Sequence, residues 1–492
     1  MSALANALSI PDTASPRFRY LALAGMVLLG LAWGAFVAIS GLSAALICLA
    51  AVVCIFTVRD FRVGVLVMIL IMPISASYIF PRAMFGVTGL NPLNVLLVGT
   101  FISYLLLAMP DGSIRRFVPW WLVAVYVVPL ILAGINGLGH TALIPQVFYQ
   151  YEQIDFKNDV GYLRDNLIKP LILVAYALMV SAAFARSRNP EKFLIPAIIS
   201  MWMMSALVIG YFLVSDVHFG QLAGEYARSF FSPLGMHAND LGRLYSTAYA
   251  ILLFTWDRTQ RPVLKSVLFL TMGVVFLALV LTFSRAAIIS FVLVNAIYLG
   301  SRFRNKKILL LAALVIPTLL FLTPGAVWYR LEMGADEGAT GMSAGRVSDI
   351  WGPLLPDLWD KFFVGHGIQS VLWARPMRMG EMLDVTHPHS AYLGAVLDFG
   401  IIGAILLIAF WFTVWRGFRR LSKDSALPPQ EQGFFEGAAA ALVGFAAAGF
   451  VGSSFTPVPE QAFLWLAIGL MLGVRSKRAI EKDSARSAGR AT

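Results

Sequence analysis

Two histidines flank a proline where a long apolar stretch begins, in residues 386–403, which read THPHSAYLGAVLDFGIIG. Imidazole titrates near neutral pH, so His387 or His389 can serve as a general base that takes a proton from a hydroxyl group. A His-x-His pair can also bind a metal, but only Glu381 and Asp384 add candidate ligands nearby. We therefore predict a general base, and no metal or other cofactor, at this position.

Four arginines in or beside the segments between apolar runs form a second chemical group: Arg228, Arg243, Arg285 and Arg346. Arg285 lies in LTFSRAAIISF, in a very short loop with apolar sequence on both sides, so it must find a partner or line a polar cavity near the membrane surface. Planar guanidinium groups grip phosphate oxygens through two hydrogen bonds, so the group as a whole suits a diphosphate. For any one of them, a salt bridge or a side chain that extends to water is the alternative.

The composition indicates the kind of fold that positions these residues. The chain has 492 residues, of which 59% are hydrophobic and 13% are charged, and its mean hydropathy is +0.76. Soluble domains carry about 25% charged residues. Apolar runs of about 17 to 25 residues recur along the chain, and each is long enough to cross a bilayer of about 30 Å. The sequence therefore predicts an all-α polytopic membrane protein.

We predict fourteen transmembrane helices, within a range of 12 to 14. Residues 1–19 precede the first span, and eleven spans with two longer outer loops, 137–166 and 215–240, occupy residues 20–323. A large outer loop over 324–389 precedes span 12, the last three spans occupy 390–474, and a polar tail over 475–492 is predicted to be disordered. The fourteen spans are 20–39, 42–58, 63–80, 91–109, 118–136, 167–185, 193–214, 241–256, 263–283, 286–301, 308–323, 390–415, 434–451 and 460–474.

The distribution of charge orients these spans. With the N-terminus inside, the inner segments hold 26 of the 38 basic residues and carry a net charge of +16, whereas the outer segments carry −5. Cytoplasmic loops are rich in Lys and Arg, so both termini are predicted to be cytoplasmic. The net charge of +11 is therefore explained by topology, and no nucleic-acid partner is needed to account for it.

The motifs resemble the signatures of the O-antigen ligase and polymerase superfamily. HPHSAYLGAVLDFGIIG resembles its His-Asn-x-Tyr-Leu…Glu-x-Gly-x-x-Gly signature, with Ser390 in place of Asn and Asp398 in place of Glu. LTFSRAAIISF is similar to its Ser-Arg motif, AGRVSDIW to its Gly-Arg…Trp stretch, and RSFFSPLGMHANDLG to its Arg…Asn-x-Leu-Gly segment, which matches Arg228 and Asn239. The four motifs follow the family's order across residues 225–405, all on the predicted outer side.

The resemblance implies a metal-independent membrane glycosyltransferase of the C type. Such an enzyme takes a glycan from undecaprenyl diphosphate at the periplasmic face of the bacterial inner membrane and passes it to an acceptor hydroxyl with inversion. His389 is then expected to be the base, and His387 is an extra imidazole that can substitute or assist. Arg285 and Arg346, together with Arg228, are expected to hold the diphosphate, where negative charge develops as it leaves.

The remaining candidates for substrate contact are Asn239, Arg243 and Tyr392. Asp398 is not among them. If His389 caps a helix that begins at Ser390, then Asp398 lies on the opposite side of that helix and deeper in the membrane. We therefore expect Asp398 to pack against neighbouring helices and not to share a site with His389.

Two reactions within the family remain open, and so does one class outside it. A polymerase of O-antigen or exopolysaccharide type, the reading we favour, joins lipid-linked repeat units, whereas a ligase passes the glycan to lipid A core or a protein. The expected partners are the undecaprenyl-diphosphate-linked donor, a saccharide or lipid A core acceptor, membrane lipids and, as a further candidate, a chain-length regulator. A transporter of lipid-linked sugar or a small anion is the second alternative, although its pathway would place charges mid-membrane on several helices.

Overall fold

The computed structural model describes most of the chain after residue 50. The described residues are 28, 30–31, 34, 49, 51–80, 83–84, 87–88, 91–108, 117–150, 154, 156–218, 220–224, 226–310, 313–314, 325–332, 345–381, 383, 385–452 and 454–491. The predicted N-terminus 1–19 lies outside them, as do most of the predicted spans 20–39 and 308–323 and part of the predicted outer loop 324–389.

Helices form nearly all of the regular structure. The longer ones are α1 (Phe61–Ile71), α2 (Pro92–Ala108), α3 (Val128–Asn136), α4 (Lys169–Ala185), α5 (Leu194–Val214), α6 (Ala238–Arg258), α7 (Pro262–Leu281), α8 (Arg285–Ser301), α9 (Gly325–Glu332), α10 (Ala391–Leu421), α11 (Pro429–Ala448) and α12 (Ala462–Ala491). Within the described ranges, strands occur as one antiparallel pair of two residues each, Ala83–Met84 with Val87–Thr88.

Short helical turns connect or extend these helices. They are Pro73–Ala76, Trp120–Leu122, Val123–Val127, Thr141–Leu143, Gln146–Gln150, Asp159–Leu163, Arg164–Ile168, Pro190–Phe193, Gln221–Ala223, Tyr226–Ser229, Ser232–Leu234, Arg346–Trp351, Gly352–Leu354, Asp357–Asp360, Ser370–Trp373, Arg375–Arg378 and Pro459–Gln461. The chain forms two compact units, the first of Met1–Gly64 and Pro81–Tyr104 and the second of Val65–Phe80 and Leu105–Thr492. Every site residue discussed below belongs to the second unit.

The apolar helices support a polytopic membrane protein. Among the described residues, four helical segments are long and apolar enough to cross a bilayer: Asp159–Ala185, Pro190–Val214, Pro262–Leu281 and Ala391–Leu421. Shorter apolar helices cover Phe61–Ile71, Pro92–Ala108, Trp120–Asn136 and Arg285–Ser301. The predicted helical fold is therefore confirmed and is compatible with a polytopic membrane protein, while the number of fourteen spans and their orientation stay predictions.

Close packing and buried ion pairs hold α6 against α8 and α11. A Cβ atom at Gly437 of α11 would lie 2.5 Å from the Ala250 carbonyl of α6, so glycine permits the two backbones to approach. At the end of α6, Asp257 accepts hydrogen bonds from Tyr298 and Arg302 of α8. Arg302 also donates to Glu436 of α11, as do the Nε and Nη2 groups of Arg258. These contacts fix the helix whose first turn carries site residues.

Helix α10 is broken in the middle, at Gly400, whose φ of 66° lies in the left-handed region. A side chain there would overlap the backbone of the loop at Phe363, so only glycine fits. The loop takes over hydrogen-bonding groups that the break leaves free: Ile401 N–H donates to the Phe362 carbonyl at 2.8 Å, and Gly367 N–H donates to the Asp398 carbonyl at 3.0 Å. The break therefore anchors the loop that precedes the histidine motif.

The C-terminal tail differs from the predicted disorder. Helix α12 continues without interruption from Ala462 to Ala491, so residues 475–491 extend the last span. The tail contains no proline, and Ala, Arg, Lys and Glu dominate it, all of which favour helices. The turns already formed by the apolar half remove the cost of starting a new helix.

Candidate functional site

Arg285 is the first residue of α8, and a serine cap places it there. Ser284 is the N-cap: its hydroxyl accepts a hydrogen bond from Ala287 N–H at 3.3 Å. The same hydroxyl donates to the amide oxygen of Asn239, at the start of α6, at 2.8 Å. The Ser-Arg and Asn-x-Leu-Gly motifs, which lie 45 residues apart in sequence, are therefore joined by one hydrogen bond.

Arg285, Arg346 and Asn239 line one cavity of about 100 Å³, which we call the cationic cavity. The remaining lining consists of the polar residues Thr282 and Ser284 and of apolar residues such as Ala227 and Val451. Because the amide oxygen of Asn239 accepts from Ser284, the amide nitrogen is left as the donor toward the cavity. Two guanidinium groups and an amide N–H form a set of donors suited to phosphate oxygens.

Arg346 begins a wide helical turn, Arg346–Trp351, that follows Gly345 in the left-handed conformation. The indole N–H of Trp351 at the other end of this turn donates to the carbonyl of Pro388 at 2.8 Å. Pro388 is the residue between the two histidines. The Gly-Arg…Trp motif is thus tied directly to the histidine motif, as required if both serve one site.

The two imidazoles of the histidine motif are in contact, with ring centroids 4.1 Å apart. The expectation that His389 caps α10 is wrong: Ser390 is the N-cap and its hydroxyl accepts from Leu393 N–H. Serine is an efficient cap, and it leaves His389 outside the helix with a φ of 53°, a strained conformation for a residue other than glycine. Such strain is held only where neighbouring contacts enforce it, and it often marks functional positions.

His387 lies among positive charges. The His387 side chain is exposed, but partial desolvation by surrounding protein, followed by the charges of Arg243, His237 and Arg346, lowers its pKa from 6.5 to about 4. The imidazole is therefore neutral at physiological pH, the form that can accept a proton. The same neighbours locate His387 between the cationic cavity, which Arg346 lines, and a second cavity.

The second cavity, of about 620 Å³, is lined by His387 and by four carboxyl groups, and we call it the carboxylate cavity. The four are Asp165, Asp240, Asp398 and Glu460. Arg243 also lines this cavity, and its Nη2 donates to Asp240 at 2.5 Å and to Glu460 at 3.0 Å. Its side chain is only 10% exposed. Arg243, proposed from sequence as a substrate contact, is thus committed to an ion-pair network beside the site.

Asp398 lines the carboxylate cavity together with His387, whereas His389, from which it was expected to be separate, does not line that cavity. Its carboxylate accepts from the N–H of Ser370 at 3.0 Å and from the hydroxyl of Ser370 at 2.7 Å. The helix begins at Ala391, so both histidines precede it, and the separation of Asp398 from His389 stays a prediction. Small residues of α10, Ala391, Gly394 and Ala395, leave room for the cavity to extend from Pro388 down to Asp398.

Residues 267–408 match the family model described as O-antigen ligase. The chain carries an O-antigen ligase domain. The resemblance inferred from the motifs is therefore confirmed. No curated protein is similar enough in sequence to match the chain. Glycan transfer of the O-antigen ligase or polymerase type is the activity that this domain supports.

The O-antigen ligase domain contains most of the predicted site. Arg285, Arg346 and both histidines lie within it, whereas Asn239 and Arg243 lie before it, on α6. The site is thus completed by a helix outside the matched segment. The ion pair of Arg243 with Glu460 adds the segment before α12.

Three of the predicted residues, His389, Tyr392 and Arg228, are not among the described residues that line either cavity. Tyr392 lines a separate apolar cleft between α10 and α11, and its hydroxyl donates to the Ala446 carbonyl at 3.0 Å. Arg228 belongs to the short helix Tyr226–Ser229, and its side chain lies outside the described part of the structure. Its role in substrate binding stays a prediction.

Sequence reasoning missed Asp240, Glu460 and Gln369 as lining residues. The spacing of Asp240 and Arg243, three residues apart at the start of a helix, was a usable signal for an ion pair. Glu460, an acid at the edge of the last apolar run, was a weaker one. Gln369 gave no signal, because the loop that carries it takes its position from the break in α10.

Proposed function

We propose that the protein is an inverting glycosyltransferase of the bacterial inner membrane that transfers a glycan from undecaprenyl diphosphate to an acceptor sugar hydroxyl at the periplasmic face. One observation carries this proposal: Arg285, Arg346 and Asn239 line one cavity, and Trp351, at the end of the turn that Arg346 begins, donates to the carbonyl of Pro388 between the two histidines. Within an O-antigen ligase domain, this arrangement supplies a diphosphate clamp and a base.

The transfer is written as a single displacement. The acceptor oxygen forms a bond to the anomeric carbon of the donor sugar, and the bond from that carbon to the diphosphate oxygen breaks. The electron pair leaves with the diphosphate, and the hydroxyl proton passes to an imidazole nitrogen. Attack from the side opposite the leaving group inverts the anomeric configuration.

His389 is the proposed base, and His387 assists it. His389 has a φ of 53° and precedes the helix, and ring contact with His387 gives a neighbour that can share or relay the proton. A base contributes about 10²- to 10⁴-fold when it is positioned beside the reacting hydroxyl.

Arg285 and Arg346 are the proposed diphosphate ligands, with Arg228 as a third candidate. Fixed cations stabilise the charge that grows on the leaving group and need no reorganisation during the reaction. Arg243 has a different proposed role: its guanidinium is held by Asp240 and Glu460, so it fixes the wall between the two cavities.

The acceptor distinguishes two forms of this function. We favour a polymerase that uses a second lipid-linked repeat unit, with a chain-length regulator as a candidate partner. The family description, O-antigen ligase, favours the alternative of transfer to lipid A core or a protein.

The test uses the purified full-length protein, an undecaprenyl-diphosphate-linked repeat unit and no other acceptor. A glycan ladder with released undecaprenyl diphosphate is expected, and His389→Ala is expected to abolish both. His218→Ala, the same change at an exposed loop histidine that lines neither cavity, is the matched control. Transfer that begins only when lipid A core is added identifies the ligase. Absence of transfer to either acceptor contradicts the proposed function.

A further inference from the structure

The carboxylate cavity is large enough for a ligand that the diphosphate clamp does not account for. Its volume of about 620 Å³ falls within the ~300–1,000 Å³ of small-molecule sites. The cationic cavity is about 100 Å³. The larger space borders His387, so a molecule bound there lies beside the imidazole proposed to assist the base.

Two side chains that line the carboxylate cavity carry buried polar atoms without a hydrogen-bond partner among the described residues. These are the Nε–H of Arg243, whose side chain is 10% exposed, and the amide oxygen of Gln369. One is a donor and the other an acceptor. Buried polar groups are normally paired, so an unpaired donor and acceptor at one cavity indicate a ligand that offers both. Sugar hydroxyl groups do so.

Positive charge is scarce on the lining of this cavity. Arg243 is its one arginine or lysine among the described residues, against four carboxyl groups. The partners of Asp165, Arg164 and Lys169, do not line the cavity. Asp398 is hydrogen-bonded by the neutral groups of Ser370, so no cation offsets it there.

The geometry of the lining is fixed before any ligand binds. Gln369 has a φ of 63°, and the next residue, Ser370, holds Asp398 through its N–H and hydroxyl groups. The break in α10 at Gly400 anchors the same loop. Carboxylates held in this way accept hydrogen bonds from sugar hydroxyl groups at little entropic cost.

We propose that the carboxylate cavity binds the acceptor sugar and selects one that carries no negative charge. A neutral or amino sugar donates its hydroxyl or ammonium protons to Asp398, Asp240 and Glu460, whereas the carboxylate of a uronic acid or a phosphate substituent is repelled. The inference rests on the proposed function, because it assigns the second substrate of the same transfer.

The first measurement is binding without donor, so it does not depend on transfer. Methyl β-D-glucoside and methyl β-D-glucuronide differ in the group at carbon 6, and their binding to the purified protein is compared by saturation-transfer NMR. The glucoside is expected to bind at least about tenfold more tightly, since like charges a few ångströms apart repel strongly in a partly dry site. Equal binding of the two overturns the inference.

Two variants separate charge from hydrogen bonding. Asp398→Asn removes the charge and keeps an oxygen that can accept from Ser370, so the preference for the glucoside is expected to shrink several-fold. Gln369→Asn withdraws the amide while asparagine tolerates the left-handed backbone, so both sugars are expected to bind more weakly. The matched control is Asp424→Asn, in the loop between α10 and α11 and away from both cavities. It is expected to keep the wild-type ratio of glucoside affinity to glucuronide affinity. An unchanged ratio in Asp398→Asn overturns the inference.

Thermal unfolding of each variant checks that it folds. If Asp398→Asn does not fold, Glu460→Gln removes a charge from the opposite wall and carries the same expectation. Release of undecaprenyl diphosphate is then measured with neutral and acidic acceptors. Transfer to both at equal rates overturns the acceptor inference and leaves the proposed function intact. Sugar preference without any transfer contradicts the proposed function, and with it the acceptor role of the cavity.

Discussion

The cationic cavity and the carboxylate cavity are neighbours with opposite charge. Two consecutive residues of the first turn of α6 belong to different cavities: Asn239 lines the cationic one, and Asp240 lines the carboxylate one. Arg285 and Arg346 face the first, whereas Arg243, held by two carboxylates, is part of the second. One helix turn therefore contributes to both cavities, which we propose to bind anions and hydroxyl groups, respectively.

The opposite charges of the two cavities give a transferase a way to hold its two substrates in separate positions. In the proposed function, a diphosphate is attracted to the first cavity and repelled by the second, which orients the donor. The acceptor is proposed to occupy the carboxylate cavity, beside His387. His387 experiences the charges of both Arg346 and Arg243, which locates it at the boundary. A variant that changes one cavity is expected to alter the binding of one substrate and to leave the binding of the other unchanged.

The largest effect is expected from loss of the base. His389→Ala is expected to lower kcat by about 10²- to 10⁴-fold, because no group then accepts the hydroxyl proton. His387→Ala is expected to have a smaller effect. Initial rates of undecaprenyl diphosphate release measure both, with His218→Ala as the control. Loss of activity in His387→Ala with full activity in His389→Ala would assign the base to the other imidazole.

A somewhat smaller loss is expected when the diphosphate clamp loses its shape but keeps its charge. Arg285→Lys is expected to lower kcat by about 10²- to 10³-fold, since an ammonium group cannot bind two phosphate oxygens in a planar fork. Arg261→Lys, at an exposed residue paired with Glu191, is the control. A fully active Arg285→Lys variant would remove Arg285 from the clamp.

The boundary between the cavities can be tested by titration. The His387 imidazole is expected to stay neutral as the pH falls from 7 to 5 and to titrate at about 4. Because this pKa is below the unfolded value of 6.5, the stability that His387 contributes is complete above pH 6.5 and is lost as the pH falls toward 4. Arg346→Gln removes a positive neighbour and is expected to raise this pKa.

NMR of histidine-labelled protein measures the titration, and thermal unfolding over the same pH range measures the stability. His218→Ala serves to assign one of the other imidazole signals. A His387 signal that titrates near 6.5 in the wild type would show that the two arginine-bearing walls do not enclose it.

The smallest effect is expected outside both cavities. Tyr392→Phe removes the hydrogen bond to the Ala446 carbonyl and is expected to cost about 1 kcal/mol of folding stability. Its packing on Phe450 and Phe455 is retained, so kcat and KM are expected to stay at wild-type values. Unfolding temperatures measure the change in stability, and initial rates measure kcat and KM. A raised KM for the donor would restore Tyr392 to the substrate-binding residues.

The sequence predicted the membrane helices and the residues of the cationic cavity because both depend on local signals. Apolar runs mark α5, α7 and α10, and an arginine between two such runs marks Arg285. A salt bridge or side-chain packing, by contrast, depends on partners that are distant in the chain. The pairing of Arg243 with Glu460 joins residues 217 positions apart and was not predicted.

The carboxylate cavity could not be predicted for a related reason. Asp398 was expected to pack against neighbouring helices, and its hydrogen-bond partner is Ser370, in the loop that inserts against α10. The break of α10 at Gly400 receives the same loop. The glycine signature was visible in the sequence, yet only the fold shows that the loop at Phe362 and Gly367 fills the break.

The division of the site into an anion region and a hydroxyl region is tested most directly by the binding of undecaprenyl diphosphate itself. Its affinity is measured by native mass spectrometry for the wild type, Arg285→Lys and Asp398→Asn, without acceptor. The account predicts weaker binding to Arg285→Lys by about tenfold or more and unchanged binding to Asp398→Asn. Equal affinities for all three proteins, or a loss in Asp398→Asn alone, would contradict it.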